Sequence, residues 1–127
     1  MASISLSDGE WKIMKLLWSE SPRTIGQIVE RLDRETGWSK TTVFVMLKRL
    51  IAKGAVRMDD SERLQHYYPV IDRTDVAPEE TDSFLTRVYD GSIGLMVSSL
   101  AGRRVLSDED IAELRRILDE AEKHTKE

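Results

Sequence analysis

Apolar positions in the first fifty residues recur three times at helical spacing, and each recurrence follows a hydroxyl residue able to cap a helix. Trp11, Met14, Leu17 and Trp18 come after Ser7-Asp-Gly-Glu10. That is a capping box, in which serine hydroxyl and glutamate carboxylate each satisfy an orphan N–H. This helix is predicted to run to about Glu20, since Ser21-Pro22 follows and proline disfavours helix in the residue before it. Thr24-Ile-Gly-Gln27 repeats the box and opens a second helix with the apolar face Ile25, Ile28, Val29 and Leu32. After the polar turn Asp33–Gly37, Ser39 caps a third, whose inner stripe is Val43, Met46, Leu47 and Leu50. Gly54 supplies its left-handed stop.

The pattern then changes period. Ala55–Met58, the polar turn Asp59–Glu62 and the returning run Leu64–Val70 predict a β-hairpin that closes on the core through Val56, Tyr67 and Val70. Pro78 is expected near the start of a fourth helix carrying Phe84, Leu85, Val88 and Tyr89, which Asp90-Gly91 interrupts. Ile93, Leu95, Met96, Val97 and Leu100 form a short fifth segment. Ser107-Asp-Glu-Asp110 caps a last helix with Ile111, Leu114, Ile117, Leu118 and Ala121 inward. Three helices and a hairpin have the layout of a winged helix-turn-helix, so the expected fold is mainly α, with a winged-helix domain over 1–72 and a helical domain over 73–127. The second domain is too short to bury its own apolar residues. A second copy is the simplest source of cover. The expected dimer contacts are Phe84, Leu85, Val88, Tyr89, Leu95, Met96, Leu100, Ile111, Leu114 and Leu118.

Charge sharpens the division. Residues 1–71 carry 11 basic and 9 acidic side chains, whereas 72–127 carry 8 and 14. Between Thr36 and Met58 there are five basic residues, Lys40, Lys48, Arg49, Lys53 and Arg57, and no acid, within a chain of net charge −4. A positive helix on an acidic protein points to a polyanion, with nucleic acid the leading candidate. On a helical wheel Thr41, Val45, Lys48 and Ala52 lie opposite the inner stripe, with Thr42, Phe44 and Arg49 on the flanks. Threonine and valine suit base edges and thymine methyls, while lysine and arginine suit phosphate or guanine. Lys40, Thr41, Thr42 and Val45 are therefore expected at base edges or adjacent phosphates, and Lys48, Arg49 and Arg63 on the backbone of double-stranded DNA. An ordinary solvated face would mix in glutamate, as the last helix does. The hairpin tip, with Asp59, Asp60 and Glu62, is wrong for phosphate. The competing reading is a winged-helix interaction module that uses the third helix on an acidic protein partner.

Other chemistry is thin. The absence of cysteine excludes disulfides, thiolate metal sites and cysteine nucleophiles. His66 and His124 lack spaced partner ligands, and Ser98-Ser99 has no nucleophile-elbow context, so no metal, cofactor or catalysis is expected. Apolar runs fall short of the ~20 residues that span a bilayer, and the N-terminus lacks the order of a signal peptide. The expectation is a cytoplasmic protein without membrane insertion.

With these residues in view, the chain resembles the penicillinase and methicillin-resistance repressors, the BlaI/MecI/CopY family. The resemblance is carried by Leu6-Ser-Asp-Gly-Glu-Trp-Lys-Ile-Met-Lys-Leu-Leu-Trp18, Thr24-Ile-Gly-Gln-Ile28, Trp38-Ser-Lys-Thr-Thr-Val-Phe44, Leu47-Lys-Arg-Leu50, Lys53-Gly54 and Tyr67-Tyr-Pro69. Phe84-Leu85, Tyr89-Asp-Gly-Ser92 and Leu106-Ser107 continue it. It implies a homodimeric transcriptional repressor of the antibiotic-resistance type, with an N-terminal winged helix on inverted-repeat operators and a C-terminal dimer domain. Some members are released when a membrane sensor triggers their proteolysis, at an Asn-Phe pair that aligns with Ser99-Leu100 here. Val45 stands where threonine is common in the family, and without cysteines the copper-sensing cluster of other members is excluded.

Overall fold

The computed structural model describes residues 4–126. Helices α1 (Asp8–Ser19), α2 (Ile25–Thr36) and α3 (Lys40–Ala52) precede strands β1 (Val56–Asp59) and β2 (His66–Pro69). Helices α4 (Arg73–Tyr89), α5 (Ile93–Gly102) and α6 (Asp108–Lys126) follow. Both capping boxes form. Ser7 N–H donates to Glu10 Oε1 at 2.8 Å and Glu10 N–H to Ser7 Oγ at 3.2 Å, and Thr24 and Gln27 repeat the exchange. Ser39 accepts from Thr42 N–H to cap α3, and Gly54, at φ 81°, follows its last turn.

Ile13, Met14 and Leu17 of α1, Ile28 of α2, and Val43, Leu47 and Leu50 of α3 are wholly buried against one another. Gly9 lets α1 and α3 approach closely, since a Cβ there would lie 3.0 Å from Met46 Sδ and 3.3 Å from Trp38 Cη2. The antiparallel hairpin pairs Val56 with Pro69 and Met58 with Tyr67, burying Val56 and Tyr67. A two-way exchange between Arg23 and Tyr67 adds a rudimentary third strand.

Three expectations are corrected or refined here. Val70 does not close the core but is 55% exposed. Pairing ends at Pro69, and Val70 N–H turns to Ala55 C=O. Pro78 lies near the start of α4 but inside the helix, five residues after Arg73. An interior proline sacrifices one helical hydrogen bond. Here the earlier start is held by Val76, buried in the core, and by Trp18 Nε1–H, which donates to Ile71 C=O at 2.7 Å just upstream. Asp75 also reaches back to the Asp72 N–H at 2.7 Å. Finally, the apolar stripe of α6 is not inward within one chain, as Leu118 is 66% exposed.

The chain divides into two compact units, one ending at Glu80 and the other beginning at Thr81, a division that falls within α4. The first unit holds the core. In the second, α5 has no buried residue, and Val88, Ile93, Leu95 and Ile117 are all exposed. Asp90 and Gly91, at φ 51° and 81°, turn α4 into α5.

Candidate nucleic-acid interface

The core determines what α3 shows to solvent. Burying Val43, Leu47 and Leu50 turns Lys40, Thr41, Val45, Lys48 and Arg49 outward, all of them exposed. Thr42 is half-buried, and its hydroxyl lies 3.1 Å from Ser39 Oγ in the cap. Thr41 and Val45 thus present the small groups of this face, with Thr42 at its edge beside the Ser39 cap. Lys48 Nζ sits 5.3 Å from the centre of the Phe44 ring, a cation–π contact that restrains it. Among the described residues, neither Lys40, Arg49 nor Arg63 forms an ion pair.

Two of the five basic residues in the acid-free stretch are committed elsewhere. Lys53 Nζ turns inward and donates to Glu10 Oε1 at 2.6 Å and to Ser5 C=O at 2.8 Å. The Arg57 guanidinium lies 4.1 Å from the centre of the Tyr68 ring, on the hairpin. The positive face of α3 is therefore narrower than its charge count.

Glu10 is the group that sequence reasoning read incompletely. It caps α1, and it is also a buried carboxylate, 2% exposed, paired across the fold with Lys53. Burial pushes its pKa up. Hydrogen bonds from Lys53 and Ser7 outweigh that and leave it below the ordinary glutamate value. The signal was available, because a lysine at the end of one helix can answer a glutamate at the start of another. What the sequence does not give is direction.

Arg63 is brought to α3 by the hairpin. A groove of about 650 Å³ separates the starts of α2 and α3 from the returning limb of the hairpin. It gathers Lys40, Thr41, Phe44 and Arg63 with Ile25, Gly26 and Leu64, the last three of which sequence reasoning did not single out for a site. Val45, Lys48 and Arg49 lie outside it. At the hairpin tip, Ser61 N–H donates to Asp59 Oδ1 at 2.8 Å, and this backbone hydrogen bond is the main cause that lowers the Asp59 pKa. Glu62 lies 3.8 Å from His66. The tip stays acidic.

The remaining candidate residues lie in the second unit. Ser99 and Leu100 are in the last turn of α5, both half-buried, their carbonyls accepting from Arg103 and Val105 N–H. Phe84 packs edge-on against Tyr89 at 5.9 Å, and Leu85, Met96 and Leu114 are half-buried. Among the described residues no group of three His, Asp or Glu side chains is placed to hold a metal ion, and no helix is long and apolar enough to cross a membrane.

A family model described as penicillinase repressor matches residues 6–120. The penicillinase repressor of Bacillus licheniformis is 36% identical over 122 residues, which are 96% of this chain and 95% of that protein. The methicillin resistance regulatory protein MecI of Staphylococcus aureus (strain N315) is 26% identical over 114 residues, 90% of this chain and 93% of that one. Among solved structures, the chain is similar to the solution structure of monomeric Bacillus licheniformis BlaI in complex with the blaP half-operator, with a TM-score of 0.51 and 34% identity. That likeness covers 58% of this chain and 90% of the other.

Proposed function

The chain belongs to the penicillinase repressor family, whose members are DNA-binding transcriptional repressors and not enzymes, and from that premise we propose that it silences promoters as a homodimer on inverted-repeat operators. The observation that carries the reading is the outward face of α3, where small side chains at Thr41 and Val45 lie beside Lys48 and Arg49 with no acid among them. Lys40, Thr41 and Val45 meet base edges or the phosphates next to them, and Lys48, Arg49 and Arg63 set register on the backbone. Thr42, half-buried beside the cap, stands at the edge of the same base-facing set. The bound dimer excludes polymerase, in the cytoplasm, where operator and polymerase meet.

Two recognition helices on one face of DNA enter successive major grooves, so duplexes selected by the purified protein should be two-fold symmetric, with half-site centres about 34 Å apart or a multiple of that. Selected sequences without symmetry would count against the dimeric reading. Arg49→Ala should weaken every duplex alike and lower the salt slope by about one unit, because a phosphate contact carries no sequence information. Val45→Thr should instead move the preference at one base pair of each half-site, by about 1–3 kcal/mol if the contact is a good one. An unchanged specificity profile would remove Val45 from the base-reading set.

Relief by a membrane sensor and proteolysis is part of the same proposal, with the cut within Ser98–Gly102 at or beside Ser99-Leu100. Those residues are helical, so the last turn of α5 must open before a protease can take it, and a helix end opens at low free-energy cost. Cutting there detaches α6 and reduces paired half-site binding to weaker single-site binding. Mass mapping of fragments from induced cells should show that cut, and intact repressor throughout derepression would eliminate the route.

A further inference from the structure

Met46 packs against the core from the inner side of α3, yet it is only half-buried, so a small solute can reach it. Its sulfur sits where α1 and α3 approach closely. A Cβ on Gly9 would lie 3.0 Å from Met46 Sδ and 3.3 Å from Trp38 Cη2, so the thioether is held between the start of α1 and an indole ring. Both walls are fixed. Gly9 stands inside the Ser7–Glu10 capping box, next to the carboxylate that Lys53 holds. Trp38 N–H donates to Thr36 Oγ1 at 3.2 Å, and the residue after Trp38 is the cap of α3. The site has room for a thioether and none for a further atom on its Gly9 side.

We propose that Met46 is an oxidative modification site, at which oxygen transfer from a peroxide displaces α3 and weakens its hold on DNA. The sulfur lone pair takes one peroxide oxygen as the O–O bond breaks. The proton on that oxygen passes to the departing hydroxide, which leaves as water. Sulfur is oxidised by two electrons and the peroxide is reduced by two. The product is a polar, chiral sulfoxide where an apolar atom stood. The other described methionines lack this combination of access and confinement. Met14 is wholly buried, Met58 is 39% exposed on β1, where an added oxygen meets solvent, and Met96 belongs to the second unit. The consequence for DNA rests on the repressor reading above. Strain relieved by moving α3 in the free protein must be restored when the helix enters the major groove. Affinity for a selected duplex should therefore fall about tenfold, with the salt slope unchanged because no charge is altered.

The test is titration of hydrogen peroxide into the full-length protein, with sulfoxide at each methionine mapped by mass and duplex affinity measured on the same samples. Binding should fall in step with sulfoxide at Met46. Met46→Leu, a nearly volume-conserving change, should bind before treatment and go on binding after it. The double variant Met58→Leu/Met96→Leu should be as sensitive as wild type. Methionine sulfoxide reductases A and B together, which cover both epimers, should restore the treated wild type. An intact Met46 thioether at a dose that fully oxidises Met58 would overturn the proposal. So would complete sulfoxide at Met46 with unchanged affinity, or loss of binding by treated Met46→Leu equal to that of wild type. If Met46→Leu does not fold, the correlation within the wild type decides alone. Sulfoxide at Met46 should also lower the melting temperature, whether or not DNA is present. Untreated protein that binds no duplex would therefore defeat the DNA-binding reading, while the melting shift still judges the site.

Discussion

Replacing Lys53 by methionine should cost about 2–3 kcal/mol of stability and should reverse the sign of the protein's response to acid. Breaking a buried pair by removing one partner leaves the other charge uncompensated, at about 3–5 kcal/mol when both are fully buried. Here Glu10 is 2% exposed, but the Lys53 side chain is 36% exposed, so water screens the pair and the lower figure applies. Glu10 Oε2 is buried without a hydrogen-bond partner among the described residues, so little else can take over from Lys53. In the wild type the folded-state pKa of Glu10 is lowered. Its stabilising contribution is therefore present above the unfolded value and is lost as pH falls through the folded one. Without Lys53, burial dominates and the folded pKa rises above the unfolded value. The variant should then gain stability as pH is lowered from neutrality toward the ordinary glutamate value. Urea titrations across that range decide the matter. A variant as stable as wild type, or one with the same pH slope, would show that the Glu10–Lys53 contact is incidental.

A larger effect on function is expected from the second unit. Leu114 and Leu118 lie one turn apart on α6, and a chain alone leaves Leu118 mostly exposed. Changing both to Asp places two carboxylates in the proposed subunit interface, where each unpaired charge costs several kcal/mol. The double variant should sediment as a monomer at low micromolar concentration and hold single half-sites only weakly. The unit ending at Glu80 should remain folded, because its core contains no residue of α6. A variant that stays dimeric would move the interface elsewhere.

Much of the architecture is legible in the sequence because local chemistry decides it. Ser7 with Glu10, Thr24 with Gln27, and Ser39 each mark a helix start through a hydrogen bond that spans only three residues. The stripe Val43, Leu47 and Leu50 fixes which face of α3 is inward, and hence which face is available. What the sequence conceals is non-local. Lys53 counts as one more positive charge until the fold brings it 2.6 Å from a carboxylate 43 residues away. Pro78 reads as a boundary because local propensity says so, but burial of Val76 and the hydrogen bond from Trp18 carry the helix back past it. Ile25, Gly26 and Leu64 come together only when separate elements border one groove.

On α3, the residues that hold the fold and those that face outward alternate along one helix. Val43, Leu47 and Leu50 are wholly buried, whereas Thr41, Val45, Lys48 and Arg49 are exposed. Surface changes away from caps, special backbone positions and buried networks usually alter stability by no more than about 0.5 kcal/mol. Mutational drift at 41, 45, 48 and 49 is thus close to invisible to folding while it rewrites the surface that a duplex would meet. A gene duplicate of this chain could migrate to a new operator one substitution at a time, and every intermediate would remain a folded protein.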